Sequence, residues 1–342
     1  MKSITYRVES KNASILIEVI SMSIHSLFHP ETFQGRHKEN DYFEGWYFKM
    51  AKPSEVLAVI PGVAFGKNKE DRHAFIQVIS SAEHRSWNIQ FPFDSFKADK
   101  KRLLVEIEGN RFTPEEITLD LASDGLQLNG TARNLGLHPF PVTFKSPGIM
   151  GWYAYIPFME CFHGVVSTQH TLSGSLSLNG VETDFTGGSG YIEKDWGTSF
   201  PEAWVWLQSN CFPSKNVSCM LSVAKIPFLG KIFPGFLGFV QIGGELIRFG
   251  TYTGAKITKL ESDETHARIQ IQTKQQYIEF IAELGPTSKL AAPRQGKMER
   301  TILESILGTI TVSVRDKDHT LVFQETGTHS GIELSEAKNL WM

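Results

Sequence analysis

The sequence predicts an all-β chain, two barrel or sandwich domains in tandem with few short helices, and three features carry that reading. Short apolar runs alternate with polar positions at a period of two, because successive side chains leave a strand on opposite faces. Glycine turn pairs, Asp124-Gly125, Asn129-Gly130, Asn179-Gly180 and Gly243-Gly244, punctuate the runs where tight hairpins need positive φ. No helical period of useful length competes until 298–307, where Ile302, Leu303, Ile306 and Leu307 follow helical spacing and predict a short helix.

Taken in order, residues 1–25 alternate weakly and read as an extension, either poorly ordered or adding an edge strand, with Met22 as an alternative start. The run 41–50 is the first strand, with Tyr42, Glu44, Trp46 and Phe48 on one face and Phe43, Gly45, Tyr47 and Lys49 on the other. LAVIPGVAF and HAFIQVIS follow, joined by a polar turn over 66–72. WNIQF, RLLVEIE, ITLDL, LQLNGTA and PVTF continue the strand series up to Phe144. A Gly- and aromatic-rich linker, PGIMGWYAY, precedes a long hairpin turning at Asn179-Gly180. Beyond 210 a second meander runs through NVSCMLSVAKI, FLGFVQIGGELIRFGTYTG, AKITKLES, ARIQIQT, QYIEFIAEL, GTITVSVRD and TLVFQETG, and the tail GIELSEAKNLW reads as a last helical turn. Two strand series place an N-terminal domain over 26–186 and a C-terminal domain over 187–342.

Composition narrows the function. A net charge of −3 over 342 residues, with no basic stripe, argues against nucleic acid, which is bound through concentrated Lys and Arg. Cys161, Cys211 and Cys219 are an odd set without CxxC spacing, which argues against a disulfide framework or a zinc site. The run 15–20 is interrupted by Glu18 and lacks a cleavage site, so cytoplasmic residence is expected. The greasiest stretch, 226–240, carries Lys231, Pro227 and Pro234 and is too short to span a bilayer, which leaves a lid, a buried connector or peripheral membrane contact. Phosphate-loop, dinucleotide, hydrolase-elbow and zinc-protease motifs are missing from the chain.

The stretch 187–210, GGSGYIEKDWGTSFPEAWVWLQSN, concentrates four glycines and three tryptophans with Glu193, Asp195 and Gln208. Strand parity puts Trp204, Trp206, Gln208 and Asn210 on one face, and Glu193 with Asp195 on another beside Tyr191. A ligand site and a structural tryptophan cluster salt-bridged through Lys194 both fit this pattern. Glu44, flanked by aromatics, has the surroundings that keep a carboxyl protonated, unless it pairs with Lys49 or Arg72. His163 and His170 bracket a turn-prone GVVSTQ and either titrates near neutrality or serves in packing. Neither has a further ligand at standard spacing, so no metal site is expected, and no cofactor either.

GYIEKDWGTSFPEAWVWLQSN at 190–210, YFEGWYFKM at 42–50 and HGVVSTQHTLSG at 163–174 resemble the tocopherol cyclase family, and the likeness extends from about His29 to near the C terminus. It implies two lipocalin-like domains, an architecture shared with carotenoid hydratases and some fungal Diels-Alder-type cyclases. It also implies an activity in which an acid protonates the alkene of a prenylated quinol or related isoprenoid and a phenol oxygen captures the cation. Asp195 and Glu44 are the expected proton donor and partner, with Glu193 next. Trp46, Trp196, Trp204 and Trp206 are expected as cation-stabilising walls, and Tyr47, Gln208 and Asn210 as groups that orient oxygens, with Tyr191, His163 and His170 beside them. A hydratase that admits water, and a carrier of lipid or pigment, are the competing readings.

Overall fold

The computed structural model describes residues 24–340 apart from Asp124, Phe158, Leu229 and Gly230. The run 15–20, Met22 and nearly all of the expected N-terminal extension lie outside the described residues. One short helix, α1 (Ile24–Phe28), opens the described chain. The first sheet contains β1 (Tyr42–Lys52), β2 (Glu55–Phe65), β3 (His73–Ser80), β4 (Arg85–Pro92), β5 (Phe96–Ala98) and β6 (Val105–Ile107). It is completed by β7 (Asn110–Phe112), β8 (Glu116–Ser123), β9 (Leu126–Leu135), β10 (Cys161–Leu178), β11 (Val181–Asp184) and β12 (Ser189–Gly197). The second holds β13 (Trp204–Ser209), β14 (Ser218–Phe228), β15 (Lys231–Ile242), β16 (Glu245–Gly250) and β17 (Lys256–Ser262). To these it adds β18 (His266–Gln272), β19 (Tyr277–Glu283), β20 (Thr287–Arg294), β21 (Lys297–Arg315) and β22 (Leu321–Ser335).

Both sheets are antiparallel and follow one plan. In each, a four-strand meander runs outward from the first strand, and the last strand of the unit returns to lie against the other side of that first strand: β4-β3-β2-β1-β12 and β16-β15-β14-β13-β22. The strands at the two ends of each order are consecutive in the chain. A three-residue turn, Phe93–Ser95, joins β4 to β5, and Thr251–Thr253 stands between β16 and β17. Such short links between opposite edges require each sheet to curl on itself, bringing β4 close to β5 and β16 close to β17 without a ladder between them. The chain passes from one sheet to the other between Gly197 and Trp204, so β12 completes the first barrel, whereas the border drawn at Gly187 would assign it to the second.

Several expected elements differ. The segment 298–307 is not helical but extended inside β21, where pairing with β20 and β22 overrides its helical spacing. GIELS belongs to β22, and only Ala337–Asn339 makes a helical turn. Asn129-Gly130 sits within β9, paired on both sides, instead of turning. PVTF forms no strand; it contributes an isolated bridge between Thr143 and Ser146. By contrast Asn179-Gly180 and Gly243-Gly244 make two-residue hairpin turns with φ of 51° and 83°, and 58° and 97°.

Three apolar layers hold the molecule together. Each barrel encloses its own core, and a third cluster packs the outer face of β1 and β12 against β13 and β21, with Tyr47, Val165, Tyr191, Trp204, Trp206 and Ile302 among its members. β1 therefore buries both faces, which is why YFEGWYFKM reads as nearly continuous apolar sequence with two charges in it. Gln77 ties the barrels together further, since its amide donates to Ala291 O at 3.1 Å and accepts from Ala291 N at 2.8 Å.

The inward face of β1 and β12 carries a buried ion pair. Lys194 Nζ lies 2.5 Å from Glu44 Oε1 and also donates to Pro30 O and Thr32 O. Glu44 accepts from the backbone N–H of Gln34 and Gly35, each at 3.0 Å, and from Tyr42 Oη at 2.5 Å. The ammonium sits 5.0 Å from the ring of Trp46 and 4.5 Å from that of Trp196. Burial lowers the Lys194 pKa, and Glu44 opposes that shift. With every polar atom partnered, the pair clasps segment 30–35 over the first barrel. Lys194→Met strands the Glu44 carboxylate and is expected to cost about 3–5 kcal/mol in urea unfolding; an unchanged midpoint would show that the clasp contributes nothing.

Candidate active site between the two barrels

A cavity of about 170 Å³ lies where the outer faces of the barrels meet. β1, β10 and β12 contribute Tyr47, His163, Glu193 and Asp195 to its wall, while β13, β21 and β22 contribute Trp204, Trp206, Glu304 and Glu333. These residues meet because corresponding strands of the two barrels abut. Cross-strand register aligns Tyr47 with Glu193, Gly45 with Asp195 and His163 with Asp195 in the first sheet, and Trp206 with Glu333 in the second.

The ionisable groups form two sets. In the first, His163 Nδ1 lies 2.6 Å from Asp195 Oδ1, and Nε2 lies 3.3 Å from Glu193 Oε2, a charge contact without hydrogen-bond alignment. Burial by itself would lower the His163 pKa, but the Asp195 and Glu193 carboxylates outweigh it and hold the imidazole well above its usual range. Tyr191 donates to Glu193 Oε2 at 2.6 Å. In the second set, Tyr47 Oη donates to Glu304 Oε1 at 2.7 Å and Trp204 Nε1 donates to Glu333 Oε2 at 2.5 Å. Burial pushes Glu304 up to about 8, although Tyr47 and Lys49 pull it down. Burial and the neighbouring Glu304 raise Glu333 well above the carboxylate range. Two un-ionised carboxyl groups therefore face a wall of indoles, opposite an imidazolium held by two carboxylates.

Asp195, Glu193, Tyr47, His163, Trp204 and Trp206 are thus brought together as the sequence suggested, with Tyr191 directly behind Glu193. Gln208 lies further along β13, where it accepts from buried Lys49 at 2.7 Å, and Asn210 stands just beyond the strand and donates to Gly190 O. Glu44, Trp46 and Trp196 do not reach the cavity. They occupy the opposite face of the same strands, in the interior of the first barrel, so Glu44 belongs to the clasp and not to the cavity. Its partner is Lys194, neither Lys49 nor Arg72. His170 is also displaced from the site. It packs against Gly190 with Nδ1 3.1 Å from Ser167 Oγ, and burial lowers its pKa to about 3.

Glu304 and Glu333 escaped the sequence reading. A signal was present in both, a lone acid between aliphatic neighbours in ILESIL and GIEL, much as aromatic neighbours marked Glu44. Helical spacing around Glu304 and the supposed terminal turn around Glu333 concealed it. Among the described residues, His163, Glu193 and Asp195 are a group that could hold a metal ion, with one donor atom from each within 4.8 Å of the others. Cross-strand pairing assembles this set, which is why ligand spacing along the chain does not reveal it. The 2.6 Å contact to Asp195 and the raised imidazole pKa favour a proton on His163, and a proton competes with a metal there.

Fold and site together define a double β-barrel protein with an acid-lined, aromatic cavity between its barrels. Its sequence places it in a family: the tocopherol cyclase-like family model matches residues 141–335, more than half of the chain, and the protein belongs to that family. It is 32% identical over 124 residues to a probable chloroplastic tocopherol cyclase of Oryza sativa subsp. japonica, and 30% identical over 119 residues to the chloroplastic tocopherol cyclase of Zea mays. Each match covers 33% of this chain and 25% of the relative, so the chain spans about a quarter of the length of these curated relatives. In fold it is similar to CghA, solved with Sch210972, at a TM-score of 0.54 and 12% identity over 86% of this chain and 88% of that one. It is also similar to an AttH protein of Nitrosomonas europaea at a TM-score of 0.50 and 11% identity, covering 85% and 92%. Among the described residues no helix is long and apolar enough to cross a membrane, and Cys161, Cys211 and Cys219 are unpaired.

His170 generates a prediction with a definite sign. Its folded pKa of about 3 lies below the ordinary 6.5, so between those values the unfolded chain binds the proton that the folded chain refuses. Stability is therefore lost as pH falls from about 6.5 towards 3. In urea titrations across that window, His170→Gln is expected to flatten the loss; parallel curves for the two proteins would show that His170 does not contribute.

Proposed function

We propose that the protein is a cyclase-like enzyme that uses the inter-barrel cavity to protonate an alkene of a prenylated quinol or related isoprenoid and to close a ring on the resulting cation. The observation that carries this reading is a carboxyl group with a pKa of about 8, Glu304, buried beside the indoles of Trp204 and Trp206. A general acid works best when its pKa lies near the working pH, so Glu304 suits the role better than Glu333, whose proton is held more tightly. Tyr47 occupies Oε1 of Glu304, which leaves Oε2 to carry the proton. Transfer to the alkene leaves a tertiary cation and a Glu304 carboxylate. Aromatic faces stabilise the cation by about 0.5–2 kcal/mol each. The phenol oxygen then forms the C–O bond, and its proton passes to the carboxylate pair at Glu193 and Asp195. Return of a proton to Glu304 completes a reaction with no net change in composition, an isomerisation.

Membership of the tocopherol cyclase-like family supports the cyclase reading. A non-catalytic carrier has little use for un-ionised acids set against an imidazolium cluster, and strongly shifted ionisable groups gather at functional sites. The 226–240 hairpin supplies an apolar side of the cavity through Ile226, Phe236 and Leu237, and Ile232 near its tip is 59% exposed. We assign this hairpin the entry of the prenyl chain, with membrane contact through Ile232.

Turnover of a prenylated quinol by the purified protein tests the proposal. Glu304→Gln is expected to lower kcat by about 10²- to 10⁴-fold. In the wild type the rate should fall as pH rises through about 8, because the donor is then ionised. Product mass separates the routes, since cyclisation preserves it and hydration adds one water. Full activity in both Glu304→Gln and Glu333→Gln would remove the assignment of the acid, and recovery of unchanged, bound isoprenoid would favour a carrier.

A further inference from the structure

We infer that the indole N–H of Trp206 is a ligand-orienting donor, so that the cavity takes an apolar molecule with an acceptor oxygen seated against that ring, and not a bare hydrocarbon. This goes beyond the reaction proposed above, because it holds for a substrate and for an unchanged cargo alike. It concerns a polar handle on a residue that the sequence marked only as an aromatic wall.

Trp204 and Trp206 share a strand, a face and the cavity, yet their N–H groups fare differently. Trp204 Nε1 donates to Glu333, whereas Trp206 Nε1 is buried and without a hydrogen-bond partner in a side chain that is only 6% exposed. The two carboxyl groups of the second set each give one oxygen to another donor. Glu333 is the cross-strand neighbour of Trp206 but receives the Trp204 N–H, and Glu304 receives Tyr47 Oη. The ring is held in place as well. Its six-membered edge presses on Gly331, where an added Cβ would lie 2.6 Å from Cζ3, and Tyr47 packs edge-on at 5.5 Å. A fixed, desolvated donor on a residue that lines the cavity favours a ligand that supplies an acceptor there and penalises one that leaves the N–H unmet. Trp87 Nε1 is also unpartnered, but Trp87 lies in the core of the first barrel and does not line the cavity, which makes it the control.

The test uses the full chain and two probes with one prenyl skeleton, farnesyl-1,4-benzoquinone and farnesylbenzene. The quinone offers carbonyl acceptors and has no hydroxyl, so the phenol capture proposed above cannot occur and binding is read without it. Trp206→Phe is expected to lower the ratio of quinone to hydrocarbon affinity by about three- to tenfold. Trp87→Phe should leave the ratio unchanged. In indole-¹⁵N-labelled wild type, the Trp206 N–H resonance should move downfield with the quinone and not with the hydrocarbon. That reading decides the matter if Trp206→Phe fails to fold. A ratio that survives the substitution, or an N–H resonance indifferent to the quinone, overturns the inference.

Discussion

Burial of both faces of the first strand in each barrel is the constraint on which the rest of this structure depends. β1 turns one face into its own barrel and the other towards the second barrel, and Trp204 and Trp206 of β13 return the contact. A strand sealed on both sides cannot leave a charge to water. Each ionisable group on it must find a partner, change its protonation state, or face a cavity. Glu44 takes the first course, paired with Lys194 and three further donors, and burial moves Lys49 towards the neutral amine. Buried Glu193 and partly exposed Asp195, on the outer face of β12, meet His163 at the cavity wall.

The repeated strand order gives the cavity its composition. Because β1 and β12 of one barrel meet β13 and β22 of the other, each barrel presents its first and last strands to the shared space, with β10 and β21 beside them. Acids arrive from both sides, and the same low-dielectric surroundings act on them in opposite ways. Where a cationic partner stands within reach, as His163 does, the ionised pair is retained and the imidazole pKa rises. Where the partners are neutral donors, Tyr47 and Trp204, desolvation prevails and the carboxyl keeps its proton. One cavity thus holds a side of protonated carboxyl groups and a side where carboxylates hold an imidazolium.

Strand parity was the most legible property of the chain. Alternation in 41–50 and 187–210 correctly separates Glu44 and Trp46 from Tyr47, and it groups Glu193 with Asp195 and Trp204 with Trp206. It could not say which face looks into a barrel and which towards the cavity, because both faces are equally apolar when both are buried. Glu44 was therefore misplaced beside Asp195. Glu304 was lost for a different reason, since ILESIL has aliphatic residues at spacings that suit a helix and a doubly buried strand equally well, and only pairing with β20 and β22 resolves the ambiguity.

By itself the sequence determined the all-β class, the tandem of two barrel-like units, the hairpins at Asn179-Gly180 and Gly243-Gly244, and the partition of each site strand into two faces. These follow from local rules, because a period of two and a positive φ are properties of neighbouring residues. The tertiary structure alone decided which carboxyl groups keep their protons, that His163 stands between Glu193 and Asp195, and that the Trp206 N–H is left without a partner. Those outcomes rest on desolvation and on contacts between residues as distant in the chain as Tyr47 and Glu304, and such contacts exist only once the barrels have closed and met.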